Sequence, residues 1–168
     1  MHDRQAEFQR VYDTYGVTLY RICAAHIGVS DAEDVLQEAF IRYLKQETPF
    51  SDAEHERRWL IRVCVNLCRS RYASARRQSF DKPNERIPAP DAYGERDVLD
   101  AVQRLPPKLR SVIVLHCCEG YTLEETAALL KIGLSAAKMR LSRARDKLKL
   151  ELDAPVINRK EELFYEAK

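Results

Sequence analysis

The stretch Leu105–Leu148 limits the fold of this chain more than any other. It reads LPPKLRSVIVLHCCEGYTLEETAALLKIGLSAAKMRLSRARDKL. Pro106 and Pro107 suit the first turn of a helix, and that helix is expected to end near Gly120. Thr122 and Glu125 have the T-x-x-E spacing of a capping box, which opens a second, short helix. Leu123, Ala127 and Leu130 fall at i, i+4 and i+7, so they are expected to face inward. Gly133 is read as the residue that allows a sharp turn. The helix after it gathers Leu134, Ala137, Leu141, Ala144 and Leu148 into one apolar seam.

This is the layout of a helix-turn-helix. The outward face of its second helix carries Lys138, Met139, Ser142 and Arg143. Lysine and arginine donate to guanine O6 and N7, serine bonds either way, and methionine packs on a thymine methyl. Arg140, Arg145 and Lys147 flank that face, where they suit phosphates. The plainer alternative is a solvated basic face on a helical bundle. A cap, a turn and a basic second helix in one register weigh against it.

The remaining two-thirds must also fold. With 168 residues, 45% hydrophobic and 32% charged, the chain can bury one ordinary core or two small ones. A net charge of +2 demands no polyanion, but its distribution is informative. Every charged residue from Arg57 to Arg77 is an arginine, and Lys131–Lys149 contains Asp146 as its sole acid. Acids gather in Asp31–Glu38, in Asp91–Asp100 and in the C-terminal tail. Basic surfaces beside acidic ones suit a protein that touches both nucleic acid and a protein partner.

The N-terminus, MHDRQAEF, is too polar for a signal peptide, and no apolar run approaches membrane-spanning length, so no membrane insertion is expected. Five cysteines (Cys23, Cys64, Cys68, Cys117 and Cys118) sit inside apolar helical patterns. They are read as reduced, buried thiols of a cytoplasmic protein. Cys23, His26, Cys64 and Cys68 could be drawn into a zinc site, but their spacing matches no known knuckle or ribbon. No metal or cofactor is expected.

Helical periodicity dominates, so the fold class is all-α: two small helical domains joined by a flexible linker. Glu7–Ala25 carries Phe8, Val11, Tyr12, Tyr15, Leu19 and Ile22 at helical spacing. Gly28 and Ser30 interrupt it, and Ser30 with Glu33 predicts a capping box for a helix to about Gln46. Thr48–Asp52 is a loop, and a long helix follows from Ala53 to Arg76. Proline and glycine make 78–96 a linker. The expected domains are thus residues 1–77 and 97–150, followed by a tail, 151–168, with an apolar patch at Leu163, Phe164 and Tyr165.

In the helix after Ser30, Leu36, Ala39, Phe40 and Tyr43 point inward. Asp34, Gln37, Glu38, Ile41 and Lys45 point outward, and an isoleucine ringed by acids reads as a protein-docking site. The competing reading has another helix covering Ile41. Along Ala53–Arg76, the residues Leu60, Cys64 and Leu67 form the apolar side. Arg58, Arg62, Asn66, Arg69 and Arg76 lie within about 80° of one another. Arginines with one asparagine suit a backbone track with a base-reading amide. Phe50 and Trp59 offer aromatic surface near that track, as unstacked bases need; Trp59 is read as core, and Phe50 is left open between core and base-stacking roles.

These residues resemble a family. SDAEDVLQEAFIRYLKQ resembles region 2.2, and WLIRVCVNLCRSRYASARR regions 2.3 and 2.4, of the extracytoplasmic-function (group IV) sigma factors of bacterial RNA polymerase. Leu105–Leu148 resembles region 4. The resemblance implies a promoter-specificity subunit that is not an enzyme. Asp34, Gln37, Glu38 and Ile41 would dock on core RNA polymerase. Loop 48–54, with Phe50, and the face with Arg58, Arg62, Asn66 and Arg69 would hold the melted −10 element. Lys138, Met139, Arg140, Ser142, Arg143 and Arg145 would read the −35 element of promoter DNA as duplex. Residues 78–96 would thread toward the polymerase active-site channel, and an anti-sigma factor would be a further partner. The chain departs from the family at 133–137, where Gly-Leu-Ser-Ala-Ala replaces a polar helix start, and at Met139.

Two other readings remain at this level. One is a helix-turn-helix regulator with an N-terminal sensor or dimerisation domain, and the other is an interaction module that mimics or sequesters sigma surfaces. A sensor has no need of an arginine face, and a mimic would be acidic along its second lobe.

Overall fold

The computed structural model describes residues 2–78 and 95–152, and these are helical apart from short turns. Most of the expected linker and nearly all of the tail, with Leu163, Phe164 and Tyr165, lie outside the described residues. The chain divides into two compact units, residues 1–68 and 69–168, and the division falls inside a helix.

The first unit holds α1 (His2–Ile27), α2 (Val29–Leu44) and the larger part of α3 (Ala53–Gln78). Between α1 and α2 the chain turns on Gly28 alone, at φ 91°, a conformation that favours glycine. Its N–H donates to Ala24 O at 2.9 Å, closing the end of α1. The expected Ser30–Glu33 capping box is therefore absent. Gly28 occupies the cap position and has no side chain to offer, and Ser30 already lies in the first turn. α3 is capped by Asp52, whose Oδ1 accepts from His55 N at 2.7 Å.

The core of this unit comes from Val11, Leu19 and Ile22 of α1, Val35, Ala39 and Phe40 of α2, and Leu60, Ile61 and Val65 of α3. Three thiols lie among them. Cys23, Cys64 and Cys68 are at most 1% exposed. A hydrogen bond with Cys64 and burial push the Cys23 thiol up, against an opposing contact from Cys68. Among the described residues no group of three or more His, Cys, Asp or Glu side chains is placed to hold a metal. His26 is instead bonded through Nδ1 to Ile22 O of its own helix, at 2.8 Å.

One buried charge ties the three helices together. Glu56 is 5% exposed in the first turn of α3. Arg10 of α1 donates to it through Nη2 at 2.9 Å and Nη1 at 3.2 Å. The Tyr43 hydroxyl of α2 donates at 2.7 Å. Burial alone would raise the Glu56 carboxyl, but the Arg10 and Tyr43 bonds outweigh it and hold it below its ordinary value.

The second unit takes in the end of α3, then α4 (Glu95–Arg104), α5 (Pro107–Ile113), α6 (Leu123–Leu130) and α7 (Leu134–Leu152). α4 thus begins inside the segment expected to be linker. α5 runs on as a π-helical turn, Val114–Cys118, in which Glu119 N bonds Val114 O at 3.0 Å. The kink before α5 is closed by Arg110, 2% exposed, which donates to Gln103 O and, at 2.8 Å, to Leu105 O. These are carbonyls that the end of α4 leaves without helical partners. Its guanidinium also lies 4.7 Å from the centre of the Tyr72 ring, a cation–π contact.

Cys117 is half-buried and Cys118 exposed, against the expectation of buried thiols. They fall in the final π turn, beyond the buried run Val112–Leu115, where the helix end reaches the surface.

Candidate nucleic-acid interface

The helix-turn-helix is built by two local devices. The first is the expected capping box: Thr122 Oγ1 accepts from Glu125 N at 3.1 Å, and Glu125 Oε2 accepts from Thr122 N at 2.8 Å. The second replaces the role expected of Gly133. α6 is stopped by Lys131 in the left-handed region, at φ 52° and ψ 48°. The following N–H, of Ile132, bonds back to Ala127 O at 3.0 Å. The left-handed residue of such a cap comes directly after the last helical residue. That position is 131, two residues before the glycine. Gly133 has no positive φ, and its carbonyl starts α7 by accepting from Ala137 N at 3.0 Å.

The buried stripe of α6 is Thr126, Ala127 and Leu129, with Leu123 and Leu130 only half-buried. The expected i, i+4, i+7 stripe is thus rotated, because this eight-residue helix packs on both α7 and the π turn. α7 buries Ala137, Leu141, Ala144 and Leu148 as expected, while Leu134 is half-buried. The opposite face exposes Lys138, Met139, Ser142 and Arg143, with Arg145 beside them. Arg140 is half-buried. The Arg145 side chain also reaches Cys117 of the π turn, so the flank of the recognition helix meets the end of α5.

In the first unit the α3 face is less uniform than helical spacing implied. Asn66 is exposed and Arg62 half-buried. Arg58 is exposed, but its Nε donates to Glu54 Oε1 at 2.8 Å. Glu54 is shared with Arg57 and held below its ordinary value, first by Arg57. Arg69, at the start of the second unit, is half-buried; burial and then the Arg140 charge lower its guanidinium.

Phe50 is half-buried in an aromatic cluster that sequence reasoning missed. Its ring stacks on Tyr43 at 5.8 Å and 4°. Trp59 lies edge-on at 5.6 Å and His55 at 5.4 Å. Trp59 is itself half-buried, not core. The legible signal was the spacing of His55 and Trp59, one helical turn apart and directly after the loop that carries Phe50.

The docking face on α2 is present as a surface. Ile41 is 51% exposed, so none of the described helices covers it. Asp34 and Gln37 are exposed, while Glu38 is half-exposed and bonded to Arg42 at 2.7 Å. Ile41 also belongs to a larger feature, an open groove of about 840 Å³ between α1 and α2. Its apolar lining includes Phe8, Tyr12, Val17, Leu36, Phe40 and Leu44. Tyr12 shares the helical spacing of the buried Val11, Leu19 and Ile22, yet it is 48% exposed on this groove. Among the described residues no helix is long and apolar enough to cross a membrane.

Comparison with known proteins matches both units. Residues 11–78 match the sigma-70 region 2 family and residues 95–148 the sigma-70 region 4 family. The chain is 31% identical over 131 residues to the ECF RNA polymerase sigma factor SigE of Mycolicibacterium smegmatis, covering 71% of this chain and 51% of that protein. It spans about half the length of that relative. It is also 31% identical over 126 residues to the RNA polymerase sigma factor CarQ of Myxococcus xanthus, covering 70% of this chain and 72% of CarQ. Among solved structures, CnrH in complex with the cytosolic domain of CnrY matches at a TM-score of 0.63 and 28% identity, over 90% of each chain. Two sigma-70 regions in order, on a helix-turn-helix and a three-helix unit, make this chain a member of the extracytoplasmic-function sigma factors of RNA polymerase.

Proposed function

We propose that this sigma factor grips a promoter at two points while docked on core RNA polymerase in the cytoplasm. The exposed face of α7 reads the −35 element as duplex: Lys138, Met139, Ser142 and Arg143 at base edges, Arg140 and Arg145 at phosphates. The Phe50 loop receives an unstacked −10 base, with Arg58, Arg62, Asn66 and Arg69 of α3 along the strand. The α2 face with Asp34, Gln37, Glu38 and Ile41 docks on the polymerase. The observation that carries this reading is the exposed, basic outer face of α7, set in a capped helix-turn-helix. No bond chemistry is involved. Binding energy offsets the cost of unstacking, a few kcal/mol per base step. A cytosolic protein domain that holds this factor as an anti-sigma partner follows by analogy with CnrH, solved with the cytosolic domain of CnrY.

Run-off transcription with bacterial core polymerase and genomic promoter fragments tests the reading. Transcripts from a defined subset of promoters are expected. Silence on every fragment, with folded protein and active core, overturns it. Ile41→Asp is expected to lose core binding and keep −35 duplex binding, since Ile41 lies in the α1–α2 groove of the first unit.

A further inference from the structure

We propose that Glu56 is a positioning residue for base capture: through the Tyr43 hydroxyl it fixes the ring on which Phe50 stacks. This rests on the reading of Phe50 as the residue that meets an unstacked −10 base. Phe50 lies in the loop between α2 and α3, and its neighbours there are rings: Tyr43, His55 and Trp59. The parallel partner is Tyr43, 5% exposed near the end of α2. That ring lies parallel to Phe50, 5.8 Å between centroids, and its hydroxyl is bound to Glu56 Oε1.

Glu56 is suited to this because it is ionised and therefore accepts only. Arg10 occupies both carboxylate oxygens, and the Tyr43 hydroxyl has Glu56 Oε1 at 2.7 Å as its nearer acceptor, with Glu7 Oε1 at 3.2 Å as the other. An amide at position 56 would set an N–H against an Arg10 N–H in either orientation, so one Arg10 bond would be lost and the side chain that holds Tyr43 would itself be held less firmly. A chain of contacts thus runs from Arg10 through Glu56 and Tyr43 to the Phe50 ring, none of whose links except Phe50 touches DNA in the proposed function. A base stacking on an aromatic ring gains most when the ring is already held in place.

The test is a double-mutant cycle in the holoenzyme. The probe is single-stranded DNA 15-mers with a randomised central hexamer, and the readout is retained DNA. Phe50→Ala is expected to lower retention about tenfold, and Glu56→Gln about three- to fivefold. In the Phe50→Ala background, Glu56→Gln is expected to cause no further loss, whereas a role confined to holding helices together would cost the same in both backgrounds. Tyr43→Phe keeps the ring and deletes only the hydroxyl, so it repeats the cycle if Glu56→Gln does not fold. Equal losses in both backgrounds, or no loss in Glu56→Gln beside a loss in Phe50→Ala, overturn the inference alone. No loss in Phe50→Ala overturns the reading of Phe50 and the inference with it.

Discussion

Replacing Arg10 by alanine should weaken the first unit in a pH-dependent way. The substitution removes two N–H donors from a carboxylate whose side chain is 7% exposed, while Arg10 itself is 51% exposed. Breaking a fully buried pair costs about 3–5 kcal/mol, and an exposed pair contributes about 0.2–1 kcal/mol. With one partner buried and the other half in water, and with Tyr43 still donating, about 1.5–2 kcal/mol is expected at pH 7. Glu56 is held below its ordinary value in the folded state, and unfolded glutamates titrate near about 4.3. A depressed carboxyl contributes stability that is complete above the unfolded value and fades as pH falls through the folded one. The gap between wild type and Arg10→Ala should therefore be full at pH 7 and close below about pH 4. The chain's single tryptophan makes this measurable. Trp59 lies 6.3 Å from Tyr43, inside this unit, so its fluorescence in urea titrations follows the relevant transition. A gap as large at pH 3 as at pH 7, or one below about 0.5 kcal/mol throughout, would refute the reasoning.

Arg143→Ala should weaken −35 duplex binding by about 1–3 kcal/mol and relax base preference at one position; loss spread evenly over all sequences in a binding selection would move Arg143 to the phosphates. Thr122→Ala deletes one arm of the capping box and should cost about 1 kcal/mol, read by thermal denaturation of the second unit's helical signal. Lys131→Gly relieves a left-handed lysine and should raise stability by about 0.5–1 kcal/mol. A melting temperature that falls in this variant would show that the turn is held by the lysine side chain.

Where periodicity was long, the sequence was a good guide. Ala137, Leu141, Ala144 and Leu148 are buried as their spacing required, and Thr122–Glu125 forms both bonds of its box. Errors gathered where one residue decides a boundary. Ser30 looked like a cap, but Gly28 had already turned the chain. Gly133 looked like the turn, yet Lys131 adopts the left-handed conformation because α6 ends there. A propensity says which residue tolerates a strained backbone at least cost, and packing decides where the strain falls. The Arg10–Glu56–Tyr43 assembly joins residues 46 and 13 positions apart, and nothing local marks them as partners. The groove beside Ile41 was hidden for a related reason: Phe8 and Tyr12 fit the core periodicity of α1, but they line a surface that α2 only partly covers.

The π turn at Val114–Cys118 bears on how this domain can vary in length. A π turn is an α-helix carrying one residue more than its hydrogen bonding needs, so the surplus is absorbed locally and the backbone on either side keeps its phase. Loss of one residue between Val114 and Cys118 would restore ordinary helical bonding. The face set by Leu109 and Ile113 ahead of the turn would stay where it is. Within the first turn of α7, by contrast, one residue more or less would rotate the following side chains by about 100°. The last turn of α5 is thus a place where a relative of this sigma factor could lose a residue without turning the buried face of that helix.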